Sequence, residues 1–330
     1  MTSRAGVLLS VIGLTSLLAE HETVRGITLE APPRPPESSA YRSLVEDAQA
    51  DWVAIVPYAF LPQHSTQVLF DHPNQWWGER SEGITAQIRG AQEAGLRVFL
   101  KPQLWRSEGA YTGDLSFRSA KDWVAWEASY QTYILAMARL AEELQVEAFC
   151  VGNELDQAVR QRPNAFRRWI QNCRSIYSGK LTYASNWDCY RDPRFWSDLD
   201  AIGINAYFPL DPKDPAASWR KIGKEIGHFG TTKGKPIVFT EYGYRSIQDP
   251  FSRPWEGAGT QVFQAEGQQR ALQALYQEIW EEPWFAGGFL WKWHLIPNRI
   301  SDRGFTVQGK PALATVRKAY DDTSARKDRQ

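Results

Sequence analysis

The chain has 330 residues, with 38 Lys and Arg balancing 38 Asp and Glu, and no basic stripe beyond the short tail 326–329. A polyanion needs clustered cations to displace its counterions, so nucleic acid is excluded as a partner. The 43% hydrophobic content supports a real core and excludes a disordered or collagen-like chain. Along the chain, β-type runs alternate with helical ones. Residues 24–29 read as a short strand, followed by a Pro-rich turn at 32–36, a short helix at 43–50 and an apolar strand at 52–58. Residues 84–94 have helical spacing and end at Gly95, a natural C-terminal cap, before a strand at 97–104. A long amphipathic helix follows at 123–144, with Trp126, Tyr130, Tyr133, Ile134, Met137 and Leu140 at three-to-four spacing. Then come strand 146–152, helix 164–177 and strands 180–185, 200–206, 236–240 and 285–291, with helices at 218–229, 266–280 and 312–320.

That pattern gives eight strands, nearly continuous in apolar residues, as parallel strands covered on both faces must be. Their span is close to the roughly 250 residues of a (β/α)8 barrel. The expected fold is therefore an α/β chain forming a single (β/α)8 TIM barrel over residues 24–320, with a polar tail at 321–330. A doubly wound open sheet is the alternative, but neither GxGxxG nor GxxxxGK[ST] occurs.

Two further features bound the chemistry. Cys150, Cys173 and Cys189 are odd in number and include no CxxC pair, which argues against a disulfide scaffold or a structural zinc site. Arg4 and the apolar run 5–19 resemble a short secretory leader with cleavage after Ala19, although Leu17 is large for position −3. On that reading the protein is secreted or periplasmic. The other reading is an apolar segment packed under a cytoplasmic barrel. No other stretch approaches the about 18 apolar residues of a membrane span. The 15 Trp, 13 Tyr and 15 Phe, in a chain of zero net charge, suit an uncharged ring-shaped ligand such as a sugar, because indole faces stack on rings.

In a barrel, chemistry collects at the C-terminal strand ends. Those ends carry Tyr58; Lys101, Gln103 and Trp105; Asn153 and Glu154; Asn186, Trp187 and Asp188; Asn205 and Tyr207; Glu241 and Tyr242; and Trp291, Trp293 and His294. Glu154 and Glu241 are read as the two carboxylates that directly cap apolar strands, the fourth and the seventh. A charge at the end of a buried strand is costly unless it is paired or functional. Two carboxyls about 5 to 5.5 Å apart are the equipment of a retaining glycosidase. The bland alternative is a structural ion pair with Lys101, Arg245 or Lys292. No GxSxG elbow, HExxH or calcium-loop spacing is present, and two-carboxylate hydrolysis needs neither metal nor cofactor.

The strings FCVGNEL (149–155), FTEYGYRS (239–246), FAGGFLWKW (285–293) and LKPQLW (100–105) resemble glycoside hydrolase family 113, a family of clan A barrels. KLTYASNWD (180–188) and GKPA (309–312) extend the similarity over most of the chain. The resemblance implies a retaining β-glycosidase acting on β-1,4-mannan or manno-oligosaccharides, with Glu154 as acid/base and Glu241 as nucleophile. By chemistry, Glu154 should then carry the raised pKa, while hydrogen bonds keep Glu241 charged, Tyr207 being the first candidate donor. Asn153, where many relatives carry Thr, is expected to contact a sugar hydroxyl, as are Lys101 and Gln103. Trp105 and Trp187 are candidate stacking platforms, and Trp291, with Trp293 second, is expected to floor the site of the reacting sugar. Asn186, Asn205, Tyr207 and Tyr242 complete the expected substrate-binding set, while the Trp76–Trp77 pair could line a subsite or cover the rim. Other readings are a β-glucan or other β-hexoside hydrolase, and a non-catalytic carbohydrate-binding barrel.

Overall fold

The computed structural model describes residues 23–327. The leader expected at 1–20 lies outside them. Eight parallel strands close into a barrel in chain order: β1 (Val24–Leu29), β2 (Trp52–Ile55), β4 (Arg97–Leu100), β6 (Ala148–Asn153), β7 (Lys180–Asn186), β8 (Ile202–Asn205), β9 (Ile237–Tyr242) and β10 (Phe285–Trp293). β1 pairs with both β2 and β10, and that double pairing closes the ring.

The strands read as continuous apolar runs because both faces are dry. A small inner layer of Ala54, Phe99, Cys150, Ala184, Val238 and Phe289 fills the barrel. The alternate residues, such as Ile27, Val53, Val98, Phe149 and Leu181, face outward and pack under the helices. Gly26 makes room for the bulk of that inner layer, since a Cβ there would lie 2.3 Å from the Phe289 ring. The helices begin where the sequence offers caps. Ser119 accepts from the Asp122 N–H at the start of α3 (Ala120–Glu143), and Asp214 accepts from the Ala217 N–H before α6 (Pro215–Lys233).

The structure departs from the expected elements at two strands and two helices. Strands expected at 52–58 and 97–104 each break, at Pro57 and Pro102, because proline has no N–H to continue a ladder. Their remainders, β3 (Tyr58–Leu61) and β5 (Gln103–Arg106), pair with each other beyond the barrel's C-terminal end, Tyr58 opposite Gln103. A short helix not expected from the sequence, α4 (Asp156–Gln161), begins two residues after Glu154. The last helix, α8 (Ala312–Lys327), runs into what was read as a polar tail. Among the described residues no helix is long and apolar enough to cross a membrane.

Candidate active site

Glu154 sits one residue past β6, where the pairing with β7 shifts register between Cys150 and Asn153. Its backbone is left-handed, φ 48°, and its N–H donates to the Ala184 carbonyl at 2.9 Å. A non-glycine residue held there costs about 1–3 kcal/mol and persists only where its surroundings fix it. Asn205 Nδ2 donates to Glu154 Oε1 at 2.9 Å and to Asn153 Oδ1 at 3.0 Å, while Asn205 Oδ1 accepts from the Thr240 hydroxyl at 2.8 Å. Burial first, and then the charge of Glu241, push the Glu154 carboxyl up to about 7.

Glu241 has different company. The β8–β9 register shifts between Ile204 and Asn205, bringing Glu241 opposite Asn205, and such a bulge re-aims side chains at a barrel rim. Lys101, with no exposed surface, forms a buried ion pair with Glu241 Oε1. Tyr207 donates to Glu241 Oε2 at 2.8 Å, as expected from the sequence. One carboxyl thus takes a single side-chain amide bond, and the other takes an ammonium and a phenol. The first setting favours a protonated Glu154.

A cleft of about 670 Å³ opens at the C-terminal ends of β1, β2 and β10, within the roughly 300–1,000 Å³ usual for small-ligand sites. Its lining includes Tyr58, Trp76, Glu79, Trp105, Trp291 and Lys292, but neither catalytic candidate. A larger depression of 840 Å³, lined by Tyr41, Arg42 and Arg89, lies against the outer helices and holds no strand-end residue. In the cleft wall, Glu30 gathers Lys292 Nζ at 2.7 Å, His294 Nδ1 at 2.7 Å and Arg299 Nε at 3.0 Å. Burial opposes ionisation of Glu30, but the three donors overcome it and hold the carboxyl well below its ordinary range. A further group of aromatic and polar residues gathers around Asn186. The Trp187 ring stacks on Trp255 at 5.2 Å and 22°, and Asn186 donates to the Tyr111 hydroxyl, which donates to Asp156, both at 2.8 Å. Among the described residues no group of three His, Cys, Asp or Glu is arranged to hold a metal ion.

Several expected substrate contacts need correction. Tyr242 follows inward-facing Glu241, so by strand alternation it points outward, where its hydroxyl meets Tyr276 at 2.9 Å and Tyr320 at 2.8 Å. Trp293 is buried in the layer beneath the helices. Asn205 and Lys101 have no exposed surface, Asn205 bonding Glu154 and Lys101 pairing with Glu241. Asn153 is also buried, although among the described residues its Nδ2 lacks a partner, as does Gln103 Oε1. Asn186 spends its amide on Tyr111 and on the Trp187 N–H. Trp105, exposed, and Trp291, half-buried, do line the cleft. Glu30, missed in the sequence, is a third carboxylate capping an apolar strand, and the criterion that selected Glu154 would have found it. Tyr111, Glu79 and Trp255 lie in loops or 3-10 turns and carry no comparable signal.

A closed parallel barrel with glutamates at the ends of its fourth and seventh strands, and an aromatic cleft at the ends of its first, second and last, defines a barrel glycoside hydrolase. The profile of Glycoside Hydrolase Family 113 matches residues 35–310, and the chain belongs to that family. No curated protein matches it. Among solved structures, it is similar to the family 113 β-mannanase of Alicyclobacillus acidocaldarius solved with ManMIm, at 24% identity and TM-score 0.83, over 92% of this chain and 99% of the other. A second family 113 β-1,4-mannanase, solved as a complex, matches at 23% identity and TM-score 0.80, over 91% and 99%. The β-glucuronidase of Faecalibacterium prausnitzii shares the barrel at 16% identity and TM-score 0.60, over 91% of this chain and 49% of that one.

Proposed function

We propose that this glycoside hydrolase cleaves β-1,4-mannosidic bonds with retention of configuration, Glu154 acting as acid/base and Glu241 as nucleophile. The observation that carries the roles is the contrast between the two carboxyls, one lifted to about 7 by burial and its neighbour, the other bound to Lys101 and Tyr207. The substrate rests on membership of family 113 and on likeness to solved structures described as β-1,4-mannanases.

In the first step a Glu241 oxygen attacks the anomeric carbon while Glu154 gives its proton to the glycosidic oxygen, so the leaving sugar departs as a neutral alcohol. Glu154, now ionised, next takes a proton from water as that water attacks the glycosyl ester, and Glu241 leaves as a carboxylate. Lys101 and Tyr207 stabilise the Glu241 charge before attack and after release. Asn205 keeps Glu154 in place through both proton transfers.

Two measurements test this. Glu154→Ala, given an activated aryl β-mannoside and azide, should form the β-mannosyl azide and regain rate; no azide product would remove Glu154 from the acid/base role. A hydrolysis panel of mannan, glucomannan, cellulose and xylan should favour mannan, and preference for another polymer would replace the substrate while leaving the mechanism.

A further inference from the structure

Glu154 stands where the main chain is left-handed, so its neighbours must hold it there. The end of β7 supplies the anchors. The Ala184 carbonyl accepts from the Glu154 N–H at 2.9 Å, and the Tyr183 hydroxyl accepts from the Leu155 N–H at 2.8 Å. The third anchor reaches the next residue, Asp156, through a bridge. Asn186 Nδ2 donates to the Tyr111 hydroxyl at 2.8 Å, and that hydroxyl donates to Asp156 Oδ2 at 2.8 Å. Tyr111 thus closes a circuit of hydrogen bonds that leaves β7 at Ala184, runs through residues 154–156 and returns at Asn186.

Tyr111 comes from the connection between β5 and α3, between two 3-10 turns (Ser107–Gly109 and Thr112–Asp114). That connection is shaped around the contact. A Cβ on Gly113 would lie 2.2 Å from the Tyr111 ring and 2.5 Å from Asp156 Oδ2, so a side chain there would push the pair apart. Arg106 donates to the Tyr111 carbonyl and fixes its main chain. Asp156 is buried, and Arg160, one turn further along α4, is paired with Asp192. The carboxyl also faces Asp188, Glu154 and the Cys189 thiol, and a thiol is a weak donor, which leaves the Tyr111 phenol as the stronger one. Tyr111 feels the charge of Glu154 as well as that of Asp156, so the bridge stands beside the acid.

We propose that Tyr111 is a positioning residue for the acid/base: by bridging Asn186 to Asp156 it fixes the main chain that carries Glu154. This rests on the acid/base role given to Glu154 above. Tyr111 keeps 41% of its surface exposed, so direct contact with substrate is the rival role, and the two differ in their dependence on the leaving group.

Two aryl β-glycosides of the preferred disaccharide separate them, one releasing 2,4-dinitrophenol, which departs without protonation, the other phenol, which needs the acid. The reading is kcat/KM at about pH 5.5, where a carboxyl raised to about 7 is protonated. Glu154→Ala should lower it about 100-fold more for the phenyl than for the dinitrophenyl glycoside. Tyr111→Phe, which keeps the ring and removes the bridge, should show the same split at about tenfold. Asp156→Ala should split the two substrates likewise, from the other end of the bond, should the first variant fail to fold. The double variant should lose no more than Asp156→Ala alone, because the bond is already absent there. Equal losses on the two glycosides in Tyr111→Phe would make the residue a substrate contact or a purely structural one and overturn the proposal, as would additive losses in the double variant. No split in Glu154→Ala would remove the acid role itself, and this proposal with it.

Discussion

Asn205 Nδ2 lies 2.9 Å from Glu154 Oε1, and the oxygen of the same amide accepts from Thr240, the residue just before Glu241. One buried side chain therefore ties the proposed acid to the strand that carries the proposed nucleophile. Asn205→Ala cuts that tie and should lower kcat about 100-fold, the size of loss that a small misplacement of a reacting group brings. Its amide bond favours the ionised Glu154, so losing it moves the carboxyl still higher. The basic limb of the pH–rate profile should accordingly shift upward; a downward shift would show that Asn205 acts otherwise.

The wild-type profile follows from the same group. An acid raised to about 7 is protonated below that pH and ionised above it, so kcat/KM should fall about tenfold per pH unit well above 7. Lys101 is one of the influences that lower the Glu154 carboxyl, so Lys101→Met should raise the basic limb. The same change leaves Glu241 buried without its cation, and breaking a buried pair in this way costs about 3–5 kcal/mol. Urea unfolding beside the pH series separates the two effects.

How far the sequence could be read is decided by which signals are local. The eight barrel strands were legible because burial on both faces leaves unbroken apolar runs, and Glu154 and Glu241 stood out as charges ending two of them. The breaks at Pro57 and Pro102 were visible as residues, but the β3–β5 pairing they create depends on two distant segments meeting. The Tyr207 bond to Glu241 was anticipated from its strand-end position, whereas the outward turn of Tyr242 follows from alternation that an inventory of strand ends ignores. Trp76 and Glu79 enter the cleft from a connecting segment without periodicity, so only the closed fold brings them beside Trp105.

Tyr242 gives the sharpest check on that correction. Its hydroxyl joins Tyr276 and Tyr320 between β9 and the outer helices, remote in direction from the mouth. Tyr242→Phe removes the oxygen and preserves the ring. Stability should drop by about 1–2 kcal/mol, the net worth of lost buried hydrogen bonds, with kcat/KM on oligosaccharide within twofold of wild type. A tenfold loss of kcat/KM at unchanged stability would return Tyr242 to the substrate-binding set.

Glu30 joins the end of β1 to the segment after β10, and through Arg299 it backs the Trp76 ring. Glu30→Gln keeps the shape but removes the charge that Lys292, His294 and Arg299 share, so stability at pH 7 should fall by about 1–3 kcal/mol. The sign with pH is fixed by the depressed carboxyl. Its contribution is present above the unfolded-state value of about 4.3 and is lost as pH falls below that towards the folded-state value. Wild type should thus lose stability between about pH 5 and 2 more steeply than Glu30→Gln, and the gap between them should narrow across that window. Denaturant titrations at pH 7, 4 and 2.5 measure it, and a gap that stays constant would mean that the charge on Glu30 does not contribute to the fold.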